Sequence, residues 1–157
     1  TEAQQRKNYL ELESRLNSAE AVGYPDIVLP DVNAQKIRLS EVDSKVIMVF
    51  FWSAANADQK MFNLDFLKGI YDDYHRKGLE IYQVSLDVDK ALWAKVVKQQ
   101  NLPWINVCDS RGAASPYTAL YNISSVPAVY VICNGDLVDG SMTDEKSFRK
   151  TLDNLLK

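Results

Sequence analysis

The run KVIMVFFW at residues 45–52 sets the strongest limit on what this chain can fold into. It is continuously apolar and rich in β-branched and aromatic residues. A strand with no polar face must be covered on both sides, so the run predicts a central strand with packed layers above and below it. The chain around it supplies those layers. Residues 57–76 read as a helix, with Phe62, Phe66, Ile70 and Tyr74 at four-residue spacing and Leu67 and Tyr71 beside them. Lys77-Gly78 ends it, since glycine is common just past a helix C-terminus. LEIYQVSLD (79–87) predicts a second buried strand, and 88–101 a second helix with Leu92, Trp93, Val96 and Val97 on one face.

A short strand INVCD (105–109) and a helix ASPYTALYN (114–122) follow. VPAVYVICNGDLVDG (126–140) then holds two strands joined by Asn134-Gly135, the strongest two-residue hairpin signal. A last helix spans 144–156, with Phe148, Leu152 and Leu155. Ahead of the central strand, Ile27-Val28-Leu29 and Ile37-Arg38-Leu39 predict a small hairpin between Pro, Asp and Asn punctuation. Residues 4–19 are charged, with Tyr9, Leu12 and Leu16 at helical spacing. The expected organisation is an N-terminal amphipathic helix or linker over 1–22 and one domain over 23–157. Helices between strands imply parallel βαβ units, and the closing hairpin is antiparallel. The fold class is therefore α/β, a sandwich around a mixed sheet.

Composition narrows the function. The net charge of −3, with basic residues scattered among acids, gives no clustered Lys and Arg for nucleic acid. Cys108 and Cys133 form no C-x-x-C, and with a single histidine no zinc cluster is evident, so neither metal nor cofactor is expected. No apolar run is long enough to span a bilayer. His75, between a helix end and Arg76-Lys77, reads as a surface residue, and Pro25, Pro30 and Pro103 as loop punctuation.

The order of elements, the Trp after the central strand and the Val-Pro opening the last hairpin resemble the thioredoxin fold. The segments YPDIVLPDVNAQKIRLSEVDSKVIMVFFWS, KGLEIYQVSLDVD, LPWINVCD and YNISSVPAVYVICNGDLV resemble, more narrowly, the TlpA/ResA-type thiol-disulfide oxidoreductases and their AhpC/TSA peroxiredoxin-like relatives. The resemblance covers roughly residues 23 to 156. It implies a thioredoxin-like three-layer α/β/α sandwich with an N-terminal hairpin and an inserted βα unit. It also implies a place on the outer side of the bacterial cytoplasmic membrane, in the periplasm or envelope, often through a tether ahead of the domain.

In that family the central strand ends FW-x-x-x-C-x-x-C. Laid on Phe51-Trp52, the two cysteine positions hold Asn56 and Gln59, and the helix proline position holds Leu64. Val126-Pro127 matches the family's cis-proline. Thiol-disulfide exchange requires a thiolate, and a carboxamide supplies none. Asp58 between the two positions further disfavours one. Asn56 and Gln59 instead form a capping-box pattern, with Asp58 complementing the helix dipole. A helix start can also hold an anion, an option that Asp58 opposes.

Cys133 is expected about 20 Å from the active end, from the rise of a strand. Cys108 is expected at that end, near a sheet edge and dulled by Asp109. Trp93 reads as core, while Trp52 is expected to line the active end. Three readings follow: a redox-inactive module that takes an extended peptide or protein in a groove between Trp52, Asn56 and Val126-Pro127; an oxidoreductase or peroxidase, as the family default, acting through Cys108; and a docking or oligomerisation module of a longer envelope protein.

Overall fold

The protein is described here by a computed structural model, which describes residues 23–138 and 145–157. The helix expected over 4–19, and with it the linker segment 1–22, lies outside the described residues. A two-stranded antiparallel hairpin, β1 (Val28–Pro30) and β2 (Lys36–Arg38), comes first. The main sheet contains β3 (Val46–Trp52), β4 (Leu79–Ser85), β5 (Ile105–Cys108), β6 (Ala128–Cys133) and β7 (Asp136–Val138) in the order β5-β4-β3-β6-β7. β3, β4 and β5 run parallel, and β6 and β7 are antiparallel additions beside β3.

All seven residues of β3 are buried, and alternation divides them between the two layers. Val46, Met48, Phe50 and Trp52 enter one core with Ile70, Trp93 and Phe148. Ile47, Val49 and Phe51 enter the other with Ile27, Leu39, Tyr117 and Tyr121. The first core is covered by α1 (Ala57–Phe62), α2 (Lys68–Tyr74), α3 (Lys90–Gln100) and α5 (Glu145–Leu155); the second by the hairpin and α4 (Pro116–Leu120). This is the three-layer sandwich, with α3 and β5 as the inserted unit. Each buried Val, Ile or Phe contributes about 1.5–3 kcal/mol relative to exposure, so β3 alone is a large share of the driving force.

Residues 57–76 are not one regular helix. A π-helical turn, Asn63–Leu67, separates α1 from α2. Its Asn63 is fully buried among polar partners: Oδ1 accepts from Gln83 Nε2 at 2.8 Å, and Nδ2 donates to Gln100 Oε1 at 3.0 Å. Gln83 Oε1 in turn accepts from Trp104 Nε1 at 2.8 Å. The wider turn places an amide in the core between sheet and α3, and the chain of bonds satisfies it. Asn134 and Gly135 turn the β6–β7 hairpin at φ 52° and 86°, as their residue types demand.

Candidate functional site

β3 ends at Trp52, and the chain turns through Ser53–Asn56 into α1. Asn56 has extended backbone (φ −93°, ψ 120°), and its Oδ1 accepts from Gln59 N at 3.1 Å. This is the cap that the sequence predicts. The reciprocal half of the capping box is absent: Asn56 N donates to Ser53 O at 3.2 Å, not to Gln59. The Gln59 side chain, only 6% exposed, reaches further. Its Oε1 accepts from Ser53 N at 2.6 Å, and its Nε2 donates to the Val126 carbonyl at 3.4 Å. A buried carboxamide needs both ends paired, and here the pairing ties two loops together.

The second loop is there because of register. β6 lies antiparallel to β3 with Ala128 opposite Phe51, which sets Val126-Pro127 against the Ser53 turn. The Val126–Pro127 peptide bond is cis. Trp52 corrects an expectation. It is fully buried in the helix-side core, because alternation from Met48 and Phe50 turns it inward, so it cannot line a groove. The cleft that does open here has a volume of about 340 Å³. Leu86, Ala113, Ile123 and Val126 give it apolar walls, Ser53, Thr118 and Ser125 give it hydroxyls, and no charged side chain lines it. Val126 is the one residue of the expected groove in that lining; Asn56 and Pro127 are exposed outside it.

Asp87, which the sequence reading did not single out, lies beneath the junction at 6% exposure. Its carboxylate accepts from Ser53 Oγ at 2.8 Å, Ala54 N at 2.7 Å and Ala55 N at 3.3 Å, and from Ser85 Oγ. The signal was available in Ser85-Leu86-Asp87, two polar residues at the C-terminal end of a buried strand. With Ser53 N held by Gln59 and Gln59 N by Asn56, main-chain donors around the junction already face the protein's own side chains. An anion at the helix start would have to displace them.

Cys108 ends β5, the edge strand, and is 2% exposed. Its Sγ lies 3.7 Å from Ser85 Oγ and 3.5 Å from the Asp87 carbonyl. Burial pushes this thiol up, the Ser85 hydroxyl opposes in part, and the Asp87 and Asp109 carboxylates push it further up. Asp109 itself would be raised by burial, but hydrogen bonds from Arg111 and Ser115 outweigh that and hold it below the usual carboxylate range. Arg111 Nε and Nη2 reach its two oxygens at 2.8 and 2.9 Å. Cys133 stands opposite Val46, at the far end of β3 from Trp52, and both cysteines are free. His75 is exposed, stacked on Tyr71 at 4.3 Å.

A junction of this form, joined by register to a Val-Pro loop, can be set against known proteins. The sequence profile of the AhpC/TSA family matches residues 22–139, about three quarters of the chain. The chain belongs to the AhpC/TSA family. Within it, the chain is of the TlpA/ResA-type thioredoxin-like group. It is 28% identical over 117 residues to the thiol-disulfide oxidoreductase ResA of Oceanobacillus iheyensis, covering 72% of this chain and 59% of that one. The chain therefore spans little more than half of that relative's length. The C-terminal domain of a protein assigned as a thiol-disulfide oxidoreductase from Bacteroides thetaiotaomicron superposes with a TM-score of 0.75 at 28% identity, covering 85% of this chain and 93% of that one. A thioredoxin-like protein from Bacteroides vulgatus gives 0.72 at 33% identity, covering 83% and 84%. In this AhpC/TSA member the junction carries Asn56 and Gln59.

Proposed function

We propose that this AhpC/TSA member works by binding an extended polypeptide beside Val126, and that it has no thiol-disulfide exchange activity. The observation that carries the reading is Gln59. A side chain that cannot be oxidised fills a cysteine position and is built into a hydrogen-bonded bridge between the two loops of the junction. Exchange needs an accessible thiolate of suitable pKa. Asn56 and Gln59 supply none, and the Cys108 thiol is buried and raised by its surroundings. The neutral cleft between Leu86, Ile123 and Val126 suits an uncharged extended segment, recognised by main-chain pairing at a loop that leads into a strand. The envelope location that the resemblance implies, with a tether ahead of residue 1, belongs to this proposal.

The test is an NMR titration of the ¹⁵N-labelled chain with a cysteine-free, unfolded peptide. The expected result is shifts concentrated at Ser53, Leu86 and Ser124 to Val126. Shifts spread evenly, or none at millimolar peptide, overturn the binding reading.

A further inference from the structure

Pairing an added strand normally uses both the N–H and the C=O of one residue on the receiving chain. At Val126 these two groups are in different states. Among the described residues its N–H has no partner. Its carbonyl is already taken by Gln59 Nε2. The two ends of the Gln59 carboxamide are also unequal. Oε1 grips Ser53 N at 2.6 Å, whereas Nε2 meets Val126 O at 3.4 Å, near the long limit of a hydrogen bond. A carboxamide anchored at one end and loosely held at the other yields at the loose end.

We propose that Gln59 is an internal competitor for the partner: its carboxamide occupies the Val126 carbonyl that an incoming strand needs, and binding exchanges that side-chain bond for a main-chain one. This rests on the binding reading above and adds its regulation and its partner class. Anchored by Ser53 N, the freed Nε2 remains at the junction, where a partner carbonyl or water can accept its proton. Because the walls join apolar Leu86, Ala113 and Ile123 to hydroxyl-bearing Thr118 and Ser125, the partner is an extended segment of small, β-branched and hydroxylated residues without charge. Gln59 sets a threshold: only a segment that also fills the cleft recovers the bond it must displace. In this role Gln59 is a positioning residue acting through Val126.

The probe is the peptide acetyl-Ser-Val-Thr-Val-Ser-amide, titrated by NMR into the wild-type chain, Gln59→Ala and Gln59→Glu. Gln59→Glu, read at a pH where its carboxyl ¹³C shift shows it ionised, keeps an acceptor for Ser53 N while removing the donor to Val126, so it carries the test if Gln59→Ala fails to fold. In the free variants the Val126 carbonyl ¹³C resonance moves, reporting loss of the bond. Both variants bind the probe roughly fivefold tighter than wild type, the net worth of one hydrogen bond no longer displaced. A merely structural Gln59 would instead weaken binding on removal. Equal or weaker binding by the variants, with the carbonyl resonance moved, overturns the exchange and leaves the binding reading standing. An unmoved resonance overturns the Gln59–Val126 contact itself. Absence of binding by all the proteins overturns the binding reading, and the exchange with it.

Discussion

Two buried carboxylates, Asp26 under the hairpin and Asp87 under the junction, do the same mechanical work in different electrostatic settings. Asp26 is 5% exposed and Asp87 6%. Asp26 accepts from Ile27 N and Ser40 N, both at 2.9 Å, and from Ser40 Oγ at 2.8 Å. It also has a counter-ion, Arg38, at 2.9 Å. Asp87 accepts from a similar set of donors, but among the described residues no basic side chain pairs with it. Its charge is held by main-chain and hydroxyl dipoles alone. The hairpin clamp is thus a salt bridge with a path to water through the half-exposed Arg38. The junction clamp is a lone charge whose donors belong to the loops that shape the cleft. A negative charge fixed there is a poor neighbour for a thiolate and a good anchor for a turn.

Removing each carboxylate separates the two clamps. Asp87→Ala leaves the Ala54 N and Ser85 Oγ donors buried without an acceptor, at about 1–3 kcal/mol each, and should cost about 3–5 kcal/mol in all. Asp26→Ala should cost less, about 2–3 kcal/mol, because Arg38 and Ser40 can turn to solvent. Urea midpoints at constant m-value measure both, and equal or reversed costs would show that the Arg38 counter-ion makes no difference.

A smaller effect tests the junction's other end. Asn56→Ala removes the cap bond to Gln59 N and should cost about 1 kcal/mol, read the same way. A loss well above that would mean that Asn56 takes part in holding the Gln59 bridge.

The smallest effect depends on pH. The Asp109 pKa lies below its unfolded value, so the stability it lends is full above the unfolded value, about 3.9, and is lost as pH falls through the lower folded one. Arg111 is more than half exposed, and solvent screening limits the pair to a few tenths to about 1 kcal/mol. Arg111→Gln should therefore be less stable than wild type by that amount at neutral pH, and the gap should close below about pH 4. A gap constant across that range would assign the effect to packing instead.

Much of this fold was legible because it follows from local pattern. The unbroken apolar run of β3 required two covered faces. Asn134-Gly135 required a hairpin turn, and Asn56 announced its cap. What the pattern missed is what distance in sequence conceals. Gln59 read as half of a capping box because the local partner, Asn56 N, is three residues away. The partner it takes, Val126 O, is 67 residues away and is brought near only by the pairing of β3 with β6. Trp52 read as a wall of the site because the resemblance implies a Trp there, yet strand alternation turns it into the core. Four-residue spacing in 57–76 matched a continuous helix and gave no sign of the π turn, which exists to carry Asn63 to Gln83 and Gln100. Asp87 is a polar residue just past the end of a buried strand, a signal visible in the sequence but meaningless until the Ser53 turn lies above it.

The proposed binding role stands or falls with the absence of thiol exchange at the Asn56–Gln59 junction. Insulin reduction by dithiothreitol, followed by turbidity, tests it most directly, with the wild-type chain and Cys108→Ala side by side. Both are expected to proceed at the rate of buffer alone. A wild-type rate above buffer that disappears in Cys108→Ala would contradict it.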